Sequence, residues 1–152
     1  MKQLAWLRGV VLGLDDGLVT TSVTIMTVSS VVGPRLLNTM IGVVTASSIS
    51  MALGGYAAAR SVRDQNEYLA GLETGGAFLV GGLAPLLPVA LHLPDAQWWS
   101  YACTALVALG FGWLKARYAD SEKQGALGSA LFFLAIVTAG TVAGVVIGLA
   151  LQ

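Results

Sequence analysis

Apolar residues along the chain are gathered into five long blocks that short polar stretches separate. Each block is close to the ~20 residues that an α-helix needs to cross a hydrocarbon layer about 30 Å thick. The pattern predicts five transmembrane helices over residues 9–32, 37–59, 75–93, 98–114 and 125–151. We therefore expect an all-α integral membrane protein in which residues 1–152 form a single transmembrane domain.

The longest polar connector, residues 61–74, contains several charged residues and no proline. This composition allows the second helix to continue beyond the membrane and to turn at Gly71 or Gly75. In the third block, Pro85 and Pro88 predict a helix that is weakened or kinked, because proline removes backbone hydrogen bonds.

Composition agrees with a membrane-embedded chain. Hydrophobic residues make up 56% of the 152 positions and charged residues 11%, against roughly 25% charged residues in soluble domains. Eight basic and eight acidic side chains cancel, so the chain lacks the basic surface that nucleic-acid binding requires. The single Cys103 excludes an intrachain disulfide and is expected to be a small buried side chain. The first residues lack the pattern of a cleaved signal peptide, so we expect the N-terminus to be retained.

Basic residues predict the orientation of the helices. If successive helices alternate in direction, Arg35 is the only basic residue on one side of the membrane. The basic residues on the other side are Lys2, Arg8, Arg60, Arg63, Lys115, Arg117 and Lys123. Because positively charged connectors stay in the cytoplasm, we expect the N-terminus inside and the C-terminus outside.

Two adjacent carboxylates, Asp15 and Asp16, lie within the first predicted helix. A charged side chain at the centre of a membrane helix costs about 2.5–3.5 kcal/mol on insertion scales, so a compensating role is expected. Neighbouring residues point about 100° apart on a helix, so the two carboxylates serve different faces. Asp15 shares its face with Arg8, which leaves a structural ion pair and metal binding as alternative roles for Asp15.

The face of Asp16 is lined by small and hydroxyl-bearing residues. Its members are Gly9, Gly13, Thr20, Thr24 and Thr27. Such a line predicts a hydrophilic path across the membrane, with Asp16 as a binding group and the three threonines as the onward route. A structural hydrogen bond is the alternative role for Asp16.

The second predicted helix carries a thioether, Met51, on a face of small residues. Asp16 lies seven residues from the inner end of its helix and Met51 eight, or about 10 and 12 Å, so the two reach similar depth. A carboxylate and a thioether at one level predict a weak, reversible site for a divalent transition metal such as Fe²⁺ or Mn²⁺. Helix packing is the alternative role for Met51.

Glycines at helical spacing predict close helix contacts. Gly140, Gly144 and Gly148 share one face of the fifth predicted helix, and we expect the same role for Gly13, Gly17, Gly54 and Gly55. The single His92 lies at the outer end of the third block, away from the aspartates. Without an acid–base pair the chain is not expected to be an enzyme or to hold a cofactor.

Two stretches resemble the paired signatures of the vacuolar iron transporter family. They read GLDDGLVTT over residues 13–21 and ISMALGGYAAARS over residues 49–61. The run GGLAPLLP over residues 81–88 and the layout of five helices also resemble the family. The likeness covers nearly the whole chain.

The resemblance implies proton-coupled export of Fe²⁺, and often of Mn²⁺, by a homodimer whose first helices line a path at the two-fold axis. Asp16 and Met51 occupy the positions of the family's in-membrane aspartate and methionine. The chain departs from the family at acidic positions: Val43 stands where many members carry a carboxylate near the start of the second helix, and Ala5 and Gly9 stand where further acids occur near the cytoplasmic mouth of the first. We therefore expect weaker capture of metal from the cytoplasm.

The connector between the second and third predicted helices is shorter than the glutamate-rich metal-binding domain of some members. Glu67 and Glu73 are its only glutamates, and we predict that they form the cytoplasmic entrance for the metal. The expected partners are a metal ion, the lipid bilayer and a second copy of the chain, in the cell membrane or, in a eukaryote, the vacuolar membrane.

Two other functions fit the same features. A membrane structural or accessory protein would use Asp15 and Asp16 to hold an assembly together. A small proton-coupled exporter of organic cations would use the acid of the first helix for its substrate. Metal-dependent behaviour distinguishes the metal transporter from both.

Overall fold

In a computed structural model, which describes residues 5–64, 66–118 and 126–150, the chain forms five α-helices. They are α1 (Ala5–Val32), α2 (Leu36–Ser61), α3 (Glu67–Ala90), α4 (Ala96–Tyr118) and α5 (Ala126–Ala150). A 3₁₀ turn, Gly33–Arg35, joins α1 to α2. These three segments contain no strand, so the expectation of an all-α protein is confirmed. Lys2, Lys123 and the two ends of the fifth predicted span lie outside the described residues.

Within the residues that the structure describes, three stretches are long and apolar enough to cross a membrane. The candidate spans are Gly9–Ser29, Gly33–Ser61 and Glu67–Ala90, and α5 contains a shorter apolar stretch, Leu134–Ala150. Large apolar side chains such as Leu53 and Leu87 project from the outside of the bundle. A chain that presents apolar helices outward is suited to lipid, and this protein is a membrane protein.

Helix α3 begins within the polar connector. The chain leaves α2 at Ser61 and turns at Val62 and Arg63, where Arg63 has a left-handed backbone with φ of 55°. The expectation that the connector prolongs α2 and turns at Gly71 or Gly75 is wrong. Both glycines instead lie inside α3 and face α2, because a Cβ atom on either would collide with the backbone or side chain of Ala52.

Helix α3 also remains helical through both of its prolines. Pro85 and Pro88 are buried within it, and the helix continues to Ala90. Neighbouring helices can stabilise a membrane helix that has lost individual hydrogen bonds, so proline does not have to end it. Here α1 packs closely just before Pro85, where a Cβ atom on Gly81 would collide with the backbone oxygen of Leu14.

Helix α3 is the centre of the bundle. An apolar 18-residue window of its candidate span is 56% buried inside the protein, against 11% for the window of the span that contains α2. Its most extensive contacts are with α1 and α2. A Cβ atom on Gly13 would collide with the backbone oxygen of Thr74, and one on Gly17 with that of Phe78. The backbones of α1 and α3 therefore run parallel and in direct contact.

Two apolar clusters hold the remaining helices. Ile25, Met40, Leu86 and Val89 join α1, α2 and α3 near the first turn of α4. Ala108 and Val137 join α4 to α5, with Val11, Val19 and Tyr101 packed against them. Helix α5 runs along another side of α1, where Gly140 and Gly144 lie against Val23. Helix α1 is thus held by α3 on one side and by α4 and α5 on another.

Candidate functional site

Asp16 and Thr20 form the polar centre of the exposed flank of α1. The Thr20 hydroxyl donates a hydrogen bond of 3.0 Å to the Asp16 carboxylate oxygen Oδ1. One turn further, the Thr24 hydroxyl donates to the backbone oxygen of Thr20 at 2.7 Å. Asp16, Thr20 and Thr24 are half-buried, and the neighbouring Leu12 is 60% exposed. These three residues therefore form a continuous polar line that the described part of the chain leaves partly open.

Thr27 is engaged differently from the two threonines before it. Its hydroxyl donates to the backbone oxygen of Val23 at 2.8 Å and to that of Gly144 on α5 at 3.2 Å. Its backbone also lies against Gly148, where a Cβ atom would come within 2.9 Å of the Thr27 oxygen. Thr27 therefore takes part in packing α1 against α5, so its part in a hydrophilic path remains a prediction.

Asp15 lies on the other side of α1. Val11 and Val19, one turn before and one turn after it, pack against the α4–α5 cluster of Ala108 and Val137. The carboxylate oxygen Oδ1 of Asp15 is buried. The side chain of Arg8, the predicted ion-pair partner, lies outside the described residues. The two aspartates thus point into different surroundings, Asp15 toward α4 and α5 and Asp16 toward the open flank.

A junction at Thr74 gives the relative depth of Asp16 and Met51. Positions for a Cβ atom on Gly9 of α1 and on Gly55 of α2 lie 2.9 and 2.8 Å from the Thr74 hydroxyl, so these two glycines are level. From that level toward the turn that joins α1 to α2, Asp16 lies seven residues along α1, about 10 Å, and Met51 lies four residues along α2, about 6 Å. The two are therefore offset by about 4 Å, which is less than one helical turn.

The two glutamates of the predicted entrance lie in different places. Glu67 begins α3, at the corner where the chain arrives from α2. Glu73 is half-buried one turn before Ala77, whose Cβ atom lies 3.1 Å from a Cβ position on Gly13. Glu73 is therefore on the flank of α3 that adjoins α1, whereas Glu67 interacts electrostatically with Arg60 at the end of α2.

The predicted packing glycines divide into two groups. Gly13, Gly17, Gly55, Gly140, Gly144 and Gly148 all lie within contact distance of a neighbouring helix. Gly54 has no heavy atom of the described residues within 4 Å of its Cβ position and is exposed. Gly54 therefore packs against none of the described residues.

Sequence reasoning overlooked two polar contacts that hold the site helices. Thr74 forms the junction of α1, α2 and α3, and the Ser48 hydroxyl donates to the backbone oxygen of Gly75 at 2.7 Å. The only sequence signal for Thr74 is that a hydroxyl stands immediately before the glycine pair at residues 75–76. Within the described segments, no three Cys, His, Asp or Glu side chains come together as a metal-binding group.

Removal of the Thr20 hydroxyl is expected to weaken the metal binding that the sequence predicts at Asp16. Thr20→Val keeps the shape of the side chain but removes the hydrogen bond that orients the carboxylate, and loss of such a bond lowers metal affinity about tenfold. Thr24→Val is the matched control, because its hydroxyl donates to a backbone oxygen. Isothermal titration calorimetry with Mn²⁺ measures the affinity of each detergent-purified variant. Equal affinities for the two variants would contradict a role for Thr20 in orienting Asp16.

Comparison with known proteins adds a finding that covers both signature stretches. The sequence model of the VIT family matches residues 7–69 and 65–149, and these two overlapping segments include all of the residues of the polar line. No curated protein matches the chain.

Proposed function

The chain belongs to the VIT family, the vacuolar iron transporters, and on that premise we propose that it moves Fe²⁺ or Mn²⁺ out of the cytoplasm in exchange for protons. The resemblance of its two signature stretches to that family is confirmed by the match. Members of the family are transporters and not enzymes, so transport of a metal ion is the general function that membership supports.

The observation that carries the proposal is the Asp16–Thr20 pair on the open flank of α1. A carboxylate is a ligand for Fe²⁺ and Mn²⁺ when ionised, and it releases a cation when it takes up a proton. The Thr20 hydroxyl holds the carboxylate in place and supplies a second oxygen at 3.0 Å. Because the Asp16 carboxylate would bind either the metal or a proton, uptake of one would release the other. Metal export and proton import would therefore be coupled at this one side chain.

Met51 and the entrance carboxylate complete the proposed route. Met51 lies within one turn of Asp16 in depth, and its thioether favours transition metals over Mg²⁺ and Ca²⁺. Thr24 offers a further oxygen beyond Thr20. With the N-terminus inside and five crossings, Glu73 stands at the cytoplasmic end of the flank that leads to Asp16.

A homodimer fits the exposure of α1. Asp16, Thr20 and Leu12 lie on a flank that the described part of one chain leaves partly open. A carboxylate facing lipid would be costly, because the hydrocarbon layer offers no hydrogen bonds. A second copy that apposes its own α1 would cover this flank and bring two Asp16 carboxylates to one path.

Neutralising Glu73 is expected to raise the metal concentration needed for transport. Glu73→Gln keeps the size of the side chain but removes a charge that concentrates cations at the entrance, so KM should rise about threefold or more with little change in kcat. Asp64→Asn is the matched control, since Asp64 is exposed and its Oδ1 already accepts the Asn66 amide. Metal uptake from the cytoplasmic side measures the KM of both variants. An unchanged KM for Glu73→Gln would contradict the proposal that Glu73 lies at the cytoplasmic entrance.

Metal-dependent thermal stability tests the proposed function without reconstitution. Fe²⁺ and Mn²⁺ should raise the melting temperature of the purified protein, because a ligand that binds the folded state stabilises it, and Mg²⁺ at the same concentration should do so less. An accessory protein held together by its aspartates would show no metal-dependent shift, and its Asp16→Asn variant would lose assembly. That combination would overturn metal transport.

A further inference from the structure

Two tyrosines and an arginine contact one another at the end of the bundle where α2 ends and α3 begins. The Tyr56 and Tyr68 rings lie 5.1 Å apart at an interplanar angle of 37°. The Arg60 guanidinium lies 5.9 Å from the centre of the Tyr56 ring, and its Nη1 donates to the Tyr56 hydroxyl at 2.8 Å. The Arg60 side chain is therefore held in one direction although it is exposed.

This corner combines cationic, aromatic and apolar surface. Arg60 and Arg63 are exposed, and Tyr68 is 72% exposed. Two turns of α3 next to Tyr68 present large apolar side chains outward, namely Leu69 and Leu72. Arginine beside tyrosine and leucine is the composition of a surface at the boundary between hydrocarbon and headgroups.

Two carboxylates share the corner, but they are placed differently. The Asp64 Oδ1 atom accepts the backbone amide of Asn66 at 3.0 Å, which holds that carboxylate to the turn. Glu67 interacts electrostatically with Arg60. Because Arg60 uses one nitrogen for Tyr56, its other N–H groups stay available to an anion, and Glu67 opposes such an anion.

We propose that the corner formed by Tyr56, Arg60, Arg63 and Tyr68 binds the phosphate headgroup of an anionic phospholipid. The acyl chains of that lipid would lie along Leu69 and Leu72, and its phosphate would meet the guanidinium groups of Arg60 and Arg63. The assignment of this corner to the cytoplasmic leaflet, which is rich in anionic lipid, rests on the orientation given with the proposed function.

An anionic lipid suits this surface better than a free anion. The Arg60 fork recognises phosphate through paired N–H groups, and arginine stacks on aromatic rings without losing this ability. Exposed leucines beside the fork supply contact area that inorganic phosphate leaves unused. A phospholipid satisfies both parts of the surface at once.

Lipid-dependent melting of the detergent-purified full chain tests this proposal without metal. Phosphatidylglycerol should raise the melting temperature more than phosphatidylcholine at the same concentration. Arg60→Gln should reduce that difference by about half, because one of two arginine charges is removed. Arg35→Gln, which removes an exposed charge at the opposite end of α2, is the matched control and should leave the difference unchanged.

Glu67→Gln is a second test in case Arg60→Gln folds poorly. Because it removes the carboxylate that opposes an anion, it should enlarge the difference in melting temperature between phosphatidylglycerol and phosphatidylcholine. Equal shifts with both lipids in the native protein, or a full difference in Arg60→Gln, would overturn the proposal. A shift reproduced by inorganic phosphate alone would assign the corner to a free anion instead. None of these results depends on metal flux, so failure of transport and failure of lipid binding are distinguishable.

Discussion

Substitution of Asp16 by asparagine is expected to reduce metal flux by more than about 100-fold, since loss of an oriented ligand costs more than loss of its hydrogen-bond partner. Asparagine keeps the shape of the side chain and an oxygen that can accept the Thr20 hydroxyl, so helix α1 should stay intact. What is lost is the negative charge that we propose binds the cation and takes up a proton. Uptake of Mn²⁺ by proteoliposomes at matched protein incorporation measures the loss.

Asp15→Asn is the control for this experiment, because it removes a charge one residue away. Asp15 faces the α4–α5 side of α1, and Asp16 faces the open flank. We expect Asp15→Asn to keep at least about ten times the flux of Asp16→Asn, in line with the effect of a group outside the ligand set. Equal loss in the two variants would contradict the separate roles that the two faces imply.

A single methyl group on Gly13 is expected to destabilise the whole bundle. The Cβ atom of Gly13→Ala would collide with the Thr74 backbone oxygen and lie 3.1 Å from the Phe78 nitrogen, so α1 and α3 would have to move apart. Overpacking against backbone typically costs up to about 3 kcal/mol, which corresponds to a fall in melting temperature of about 5 °C or more. Thermal melting in detergent measures this effect.

Gly76→Ala is the matched control on α3. Its Cβ position has no heavy atom within 4 Å among the described residues, so the added methyl group meets no neighbour. Alanine also favours helix over glycine by about 1 kcal/mol in water, so the melting temperature should stay the same or rise slightly. If Gly13→Ala and Gly76→Ala melted alike, the close contact of α1 and α3 would be wrong.

The hydrophobic pattern was sufficient to predict an all-helical membrane protein, because long apolar blocks have few other stable forms. It failed at the start of α3, where residues 67–74 are polar enough to resemble a connector. The pattern favours a turn at Gly71, whereas Gly71 lies inside α3 and allows close approach to Ala52. Glycine marks both turns and close helix contacts, and sequence alone does not separate these two uses.

The site was predictable along α1 and less so between helices. The spacing of Asp16 and Thr20 places them one turn apart, and their hydrogen bond follows from helix geometry. The depth of Met51 relative to Asp16 depends on how α1 and α2 meet at Thr74, a contact that involves three helices. Thr27 shares the sequence spacing of this line, yet its hydroxyl bonds to Gly144 on α5, 117 residues later.

The most direct test of proton-coupled metal export is flux of Fe²⁺ and Mn²⁺ through the native protein in proteoliposomes under an imposed pH gradient. We predict that metal supplied on the cytoplasmic side moves toward the more acidic compartment, that protons move the opposite way, and that reversing the gradient reverses the driving force. Well-folded native protein that carries neither metal with either direction of the gradient would contradict this account.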